Sequence, residues 1–165
     1  RATGQIPLFF GERPTGRPAR PDDHYTSKYL DVANTPLFAF GHGLTYGRFA
    51  LSNLRLSATT LREDETVAIR VDVANDGPAA AEETVFLFTH DKIAAVARPL
   101  LELKGFGKIA LAPGERGTVT LSLAGSALRY PGVDLAPLFE PGEVEILVGP
   151  AADRTQLLVQ TLRLV

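Results

Sequence analysis

An all-β fold, two packed layers of about seven short strands behind an extended aromatic segment, is what this sequence predicts. Three observations predict it. From Phe49 onward apolar residues recur at every second position, the period of a strand with one face buried. Clusters of Asn, Asp, Gly and Pro break that pattern about every 10 residues, as turns between short strands do. No stretch repeats its apolar residues at helical spacing. The grammar changes near Tyr46, so residues 1–47 and 48–165 are expected to be different things.

Residues 1 to 10 hold a small apolar cluster, Ile6-Pro7-Leu8-Phe9-Phe10. Pro7 lacks an N–H and so disfavours a central strand there. Gly11, Pro14, Gly16, Pro18 and Pro21 make 11–23 a loop, with fixed φ at the prolines and free φ at the glycines. Residues 24–46 carry Tyr25, Tyr29, Phe38, Phe40 and Tyr46, and so much aromatic area predicts a segment laid against a surface. Gly41 and Gly43 are expected to form a tight turn that delivers Leu44 and Tyr46 into a junction between domains.

Leu54 and Leu56 mark the first strand. Val67, Ile69, Val71 and Val73 alternate with polar or small residues and mark the second. Asn75-Asp76-Gly77-Pro78 is a turn, expected from the tolerance of Asn, Asp and Gly for left-handed φ. Glu83 to His90 is a strand with apolar residues on both faces (Val85, Phe86, Leu87, Phe88). Leu100–Phe106 and Lys108–Leu111 read as strand pieces broken at Gly105 and Gly107, a bulge signal. Ala112-Pro113-Gly114-Glu115 turns the chain into Val119, Leu121 and Leu123. Glu140-Pro141-Gly142 turns it into Val144, Ile146 and Val148, and Leu157–Leu164 closes the domain. This is an immunoglobulin-like or fibronectin type III-like sandwich, with a small barrel as the structural alternative. The absence of Cys and Trp favours the fibronectin-like version.

Composition excludes several functions. Hydrophobic residues are 45% and charged residues 22% of the 165, the balance of a globule with a core. Net charge is −2 with both signs interspersed, so no basic stripe offers itself to nucleic acid. No apolar run has the length of a membrane span. With no Met and Arg at position 1, the chain is expected to be a piece of a larger protein.

The chemistry-bearing residues do not assemble into a motif. Glu82 and Glu83 are neighbours and face opposite sides of a strand, whereas Glu143 and Glu145 share a face. Since Val144, Ile146 and Val148 claim the buried side, both of those glutamates are expected in solvent with ordinary pKa values. His24, His42 and His90 lack ligand spacing, and no metal site is expected. His90 is expected to end a strand with a surface hydrogen-bonding role. Gly125-Ser126-Ala127 lacks the second Gly of a nucleophile elbow, and Gly41-x-Gly43 has no following helix to make a phosphate loop. The linker aromatics could stack on sugars, helped by Arg17 or Lys28, but packing between domains is the favoured expectation. Phe86, Phe88 and Phe106 are expected to be buried. Catalytic, cofactor-binding and metal residues are therefore expected to be none.

Gly4-Gln5-Ile6-Pro7-Leu8, Pro14-Thr15-Gly16-Arg17-Pro18, Tyr25-Thr26-Ser27-Lys28-Tyr29-Leu30-Asp31 and Pro36 through Tyr46 (PLFAFGHGLTY) resemble one region of the glycoside hydrolase family 3 β-glucosidases. That region is the end of their α/β-sandwich domain and the linker after it. Val71–Gly77, Arg98–Phe106, Leu111–Glu115 and Glu140–Glu143 resemble the fibronectin type III-like domain that follows. The resemblance spans essentially the whole chain, with departures at His42, where Tyr is usual, and across Tyr130–Phe139, which lacks a Trp often present.

The resemblance implies a retaining glycosidase, which works with two carboxyl groups about 5–5.5 Å apart. In the family the nucleophile lies on an N-terminal barrel and the acid/base on the α/β domain, both upstream of these motifs. No catalytic residue carries over, and this chain is not expected to hydrolyse substrate by itself. Residues 1–47 are then the tail of the upstream catalytic domain plus linker, and 48–165 a scaffold domain. The expected partners are those upstream domains, with further copies in an oligomer. The implied compartment is periplasmic or extracellular. Two alternatives stand: an independent carbohydrate-binding or adhesion module, and a parent enzyme that is a β-xylosidase.

Overall fold

The computed structural model describes residues 3–6, 8–20 and 22–165, and the readings made for Pro7 and Pro21 lie outside the described residues. Seven strands of seven residues or more form the body. They are β1 (Phe49–Leu56), β3 (Thr66–Asn75), β4 (Ala81–Asp91), β5 (Glu102–Leu111), β6 (Arg116–Ala124), β9 (Gly142–Gly149) and β10 (Leu158–Leu164). Three two-residue strands join them: β2 (Thr60–Leu61), β7 (Tyr130–Pro131) and β8 (Pro137–Leu138). Among the described residues the helical content is two short 3-10 turns, Gly125–Leu128 and Arg154–Gln156.

The long strands divide between two sheets, β1-β3-β6 and β2-β10-β9-β4-β5, with β7-β8 a separate hairpin. No strand is shared, so the layers form a sandwich and not the small barrel. Pairings are antiparallel except β2 against β10, which is parallel. The fibronectin type III-like reading of the sequence therefore describes the fold.

Alternation builds the core. On β3, Val67, Ile69, Val71 and Val73 are fully buried while Arg70 between them is exposed. They meet Val119, Leu121 and Leu123 of β6 within their own sheet. Across the sandwich they meet Val85 and Leu87 of β4, Val144, Ile146 and Val148 of β9, and Leu162 of β10. Burying such a side chain contributes about 1.5–3 kcal/mol, so this layer dominates stability.

Strands β4 and β9 are apolar on both faces, and the second face has its own purpose. Phe88, Leu101, Leu147 and Leu157 form a smaller cluster outside the five-stranded sheet, joined by Phe10, Phe86 and Leu103. Thus a sheet surface that a sandwich normally gives to solvent is here partly covered by the N-terminal stretch.

Four local readings are corrected. Glu102–Leu111 is one strand, not two pieces, and Leu100 and Leu101 lie ahead of it. Its register shifts where Leu87 and Phe88 pair with Gly105 and Leu103, leaving Lys104 as the extra residue of a bulge. Phe106 is 61% exposed, because β5 is an edge strand and this position points away from the core. The Asn75 turn uses no left-handed residue. Instead the buried Asn75 side chain donates to the carbonyls of Ala79 (2.8 Å) and Leu111 (3.0 Å) and accepts from the amides of Gly77 (3.0 Å) and Arg48 (3.3 Å). Left-handed backbone appears at Gly114, where Pro113-Gly114 turns the chain and Glu115 N donates to Ala112 O at 3.0 Å.

The fourth correction concerns the aromatics of the N-terminal stretch. Tyr25, Phe38, Leu44 and Tyr46 are exposed, Leu44 at 98% and Tyr46 at 92%. The segment is fastened to the sandwich at a few points, but most of its large apolar side chains are exposed. The stretch makes no strand and holds itself by side chain–backbone bonds. Tyr29 Oη accepts from Ile6 N (2.8 Å), Asn34 Oδ1 from Tyr29 N (2.8 Å), and Gln5 Nε2 donates to Ala33 O (3.1 Å).

Candidate docking interface

The N-terminal stretch meets the sandwich on the outer face of the five-stranded sheet. Two backbone hydrogen bonds fix it, Leu100 N to Glu12 O and Ala152 N to Phe40 O, each 2.8 Å. Between these points aromatic rings interlock. Phe10 lies 4.7 Å from Phe40 and 5.7 Å, edge-on, from Phe88 (ring centroids), and Phe40 lies 5.5 Å, edge-on, from Phe86. Such pairs add about 0.5–1.5 kcal/mol each beyond the area they bury. The sequence supplies both sides: β4 places Phe86 and Phe88 two residues apart on one face, and Phe10 and Phe40 flank the linker loops.

Gly41 makes the close approach possible. Its φ is +85°, and a Cβ there would sit 2.7 Å from the Phe86 ring and 3.2 Å from Ala151 Cα. His42 N donates to Ala39 O at 2.9 Å to complete the tight turn read from the sequence. The His42 ring then rests 4.9 Å from that of Phe38. Leu44 and Tyr46 leave this turn into solvent rather than onto the sandwich.

A groove of about 770 Å³ runs along the junction, walled by Phe9, Phe10, Phe38 and Phe40 on one side and by Leu101 and Ala152 on the other. The bordering loops are held by one carboxylate. Glu145 of β9 receives His90 Nδ1 (3.0 Å) from β4, Lys92 Nζ (2.5 Å) from the β4–β5 connection and Arg154 Nη2 (2.9 Å) from the β9–β10 connection. Arg154 Nη1 also donates to Leu100 O at 3.0 Å. Burial pushes this carboxyl up, but hydrogen bonds from Lys92, His90 and Arg154 and the Lys92 charge outweigh it and hold the pKa at about 2.

The expectation of a solvated Glu145 with an ordinary pKa is therefore wrong. Its side chain is 14% exposed, because the sheet face it shares with Leu147 is covered by loops from both neighbouring connections. Alternation correctly assigned Val144, Ile146 and Val148 to the core, but it carries no information about what covers the opposite face. The Lys92 and Arg154 signals were invisible, since nothing in their spacing links them to residue 145. Glu143, by contrast, is exposed.

The other candidates are dispersed. Glu82 pairs with Lys108 across the β4–β5 ladder at 2.7 Å. Glu83 faces the other way, and burial raises its carboxyl pKa, partly offset by Thr84 N. His24, His42 and His90 stand on different segments and are not brought together. Lys28 Nζ donates to Arg20 O at 2.9 Å, and Ser126 sits in a 3-10 turn. The arrangement offers an apolar, aromatic docking surface and a charged clasp behind it.

Residues 83–152 match the family described as fibronectin type III-like domain. A periplasmic β-glucosidase of Salmonella typhimurium is 37% identical over 94% of this chain, and a β-xylosidase of Formosa agariphila is 34% identical over 98%. A β-glucosidase from Listeria innocua, solved in complex with glucose, superposes with a TM-score of 0.89 at 33% identity over 98% of the chain. The chain spans only about a fifth of each of these proteins: 21%, 22% and 22%.

Proposed function

Because this chain belongs to the fibronectin type III-like portion of the family 3 β-glucosidases, we propose that it is the C-terminal brace of a retaining β-glucosidase. The parent enzyme hydrolyses terminal β-D-glucosyl residues with carboxylates that lie outside these 165 residues. Residues 1–47 complete the catalytic α/β domain and lead into the brace, and residues 48–165 are the brace itself. The chain alone is inactive. A periplasmic or secreted location goes with this reading, as the name of the Salmonella relative does.

One observation carries the proposal. Ile6, Phe9, Leu30, Phe38, Leu44 and Tyr46 are exposed on a stretch that is nonetheless anchored to the sandwich. Large apolar side chains concentrated on one exposed, anchored stretch are the composition of an interface. The partner that fits is the remainder of the polypeptide, which in the relatives amounts to about four-fifths of the protein.

Phe106, exposed and 6.3 Å from Phe86, favours a second reading as a glycan-stacking module. Hydrolysis of aryl β-glucosides and β-xylosides by the parent enzyme and by this chain, with a gluco-oligosaccharide titration of the chain, tests both readings. The brace reading expects turnover by the parent alone and no glycan affinity in the chain. Turnover by the chain overturns it, and saturable glycan binding favours the module. A parent faster on xylosides replaces the glucosidase assignment with a xylosidase one.

A further inference from the structure

A second polar cluster lies where the β4–β5 connection meets the β7–β8 hairpin. The Arg98 guanidinium stacks on Tyr130, Cζ 4.2 Å from the ring centroid, and its Nη2 donates to Glu102 at 2.7 Å. Glu140 takes the Tyr130 hydroxyl and the Ala95 amide on one carboxylate oxygen. Among the described residues, Arg98 Nε is the one fully buried side-chain nitrogen or oxygen with no protein hydrogen-bond partner. Arg98 lines a narrow space of about 10 Å³ together with Thr89, Asp91, Tyr130 and Glu140.

We infer that this space is a specific binding site for a single water molecule, which accepts from Arg98 Nε and donates to acceptors that line the same space, the Asp91 carboxylate and the Thr89 hydroxyl. Three arguments support it. A buried N–H left unpaired costs about 1–3 kcal/mol, more when it belongs to a charged group. A volume near 10–15 Å³ with two to four polar partners is what an internal water requires. Asp91 Oδ1 already accepts from Ile93 N at 3.2 Å, which leaves Oδ2 for a donor. Burial raises the Asp91 carboxyl pKa, with Ile93 N and the Arg98 charge pulling it down.

The site joins β4, through Thr89 and Asp91, to Arg98, two residues before the Leu100 that bonds Glu12. A water held here thus stiffens the connection on which the N-terminal stretch docks. Crystals of the 165-residue chain that diffract well enough to order solvent test it. The expected result is one peak within hydrogen-bond distance of Arg98 Nε and of Asp91 or Thr89. A dry cavity, or Arg98 Nε bonded directly to a protein acceptor, overturns the inference. In solution, deuteron relaxation dispersion should detect a long-lived water that Arg98→Met loses. The same signal in both proteins would contradict the site, and should the variant not fold, the crystal decides.

Discussion

Arg154 ties Glu145 to the docking loops: one guanidinium nitrogen lies 2.9 Å from the Glu145 carboxylate and the other 3.0 Å from the Leu100 carbonyl. The carboxylate sits in a central strand, whereas Leu100 and Ala152 lie in the connections that bond the N-terminal stretch. A charge cluster of the sandwich thereby shapes the surface on which the linker rests.

Acid should weaken this clasp. The folded pKa of Glu145, about 2, lies below the ordinary carboxyl value of 4.5. A depressed folded pKa means stability that is present above the unfolded value and lost as pH falls from about 4.5 toward 2. The loss is on the order of 3 kcal/mol at most. Glu83 and Asp91, whose carboxyls burial raises, act in the opposite sense, so a single variant isolates the effect. Urea unfolding from about pH 6 down to about pH 2 should show a steeper acid limb in the natural chain than in Glu145→Gln. Parallel curves would remove Glu145 from the account.

Asn75→Ala should be among the costliest single changes at a polar residue. It strips four hydrogen bonds from a fully buried site and leaves the Leu111 carbonyl without that donor. Denaturant unfolding should register a loss of about 2–4 kcal/mol. A loss below about 1 kcal/mol would mean that water replaces the side chain there.

Gly41→Ala should loosen the linker without touching the core. The added methyl meets Phe86 at 2.7 Å on a backbone of φ +85°, a double penalty of strain and overlap. Hydrogen exchange should show the amides of Leu100 and Ala152 losing protection while Ile69 and Val71 of β3 keep theirs. Uniform loss across the sandwich would contradict the separation of linker from core.

The sandwich was legible because alternation and turn chemistry agree: β3 and β6 are clean period-two runs, the doubly apolar β4 and β9 lie between turn signals, and Pro113-Gly114 turns as its residues demand. The short β2, β7 and β8 left no periodic signal, since two residues cannot establish a period. The Asn75 turn was found for the wrong reason, because side-chain hydrogen bonds, not left-handed φ, close it. At the interface the linker aromatics were visible as composition. Which of them pack was not, because the ring contact of Phe40 with Phe86 and the exposure of Tyr46 depend on distant β4 and loop residues. Lys92 and Arg154 converge on Glu145 only through the fold.

Two phenylalanines on the outer sheet face should behave differently. Phe88, fully buried, should cost about 3–5 kcal/mol on change to Ala. Phe106, exposed on the edge strand, should cost less than about 0.5 kcal/mol in the isolated chain. Thermal or urea unfolding of the two variants side by side checks the exposure assigned to β5, and equal losses would show that Phe106 is covered.

Leu44→Ser with Tyr46→Ser, placed in both the parent enzyme and this chain, is the most direct trial of the brace. Neither side chain touches the sandwich, so the chain's melting temperature should move by no more than about 1 °C. The parent should melt several degrees lower, as the lost contact with its catalytic domains requires. An unshifted parent would contradict the docking role, and a destabilised chain would show that these residues belong to the sandwich after all.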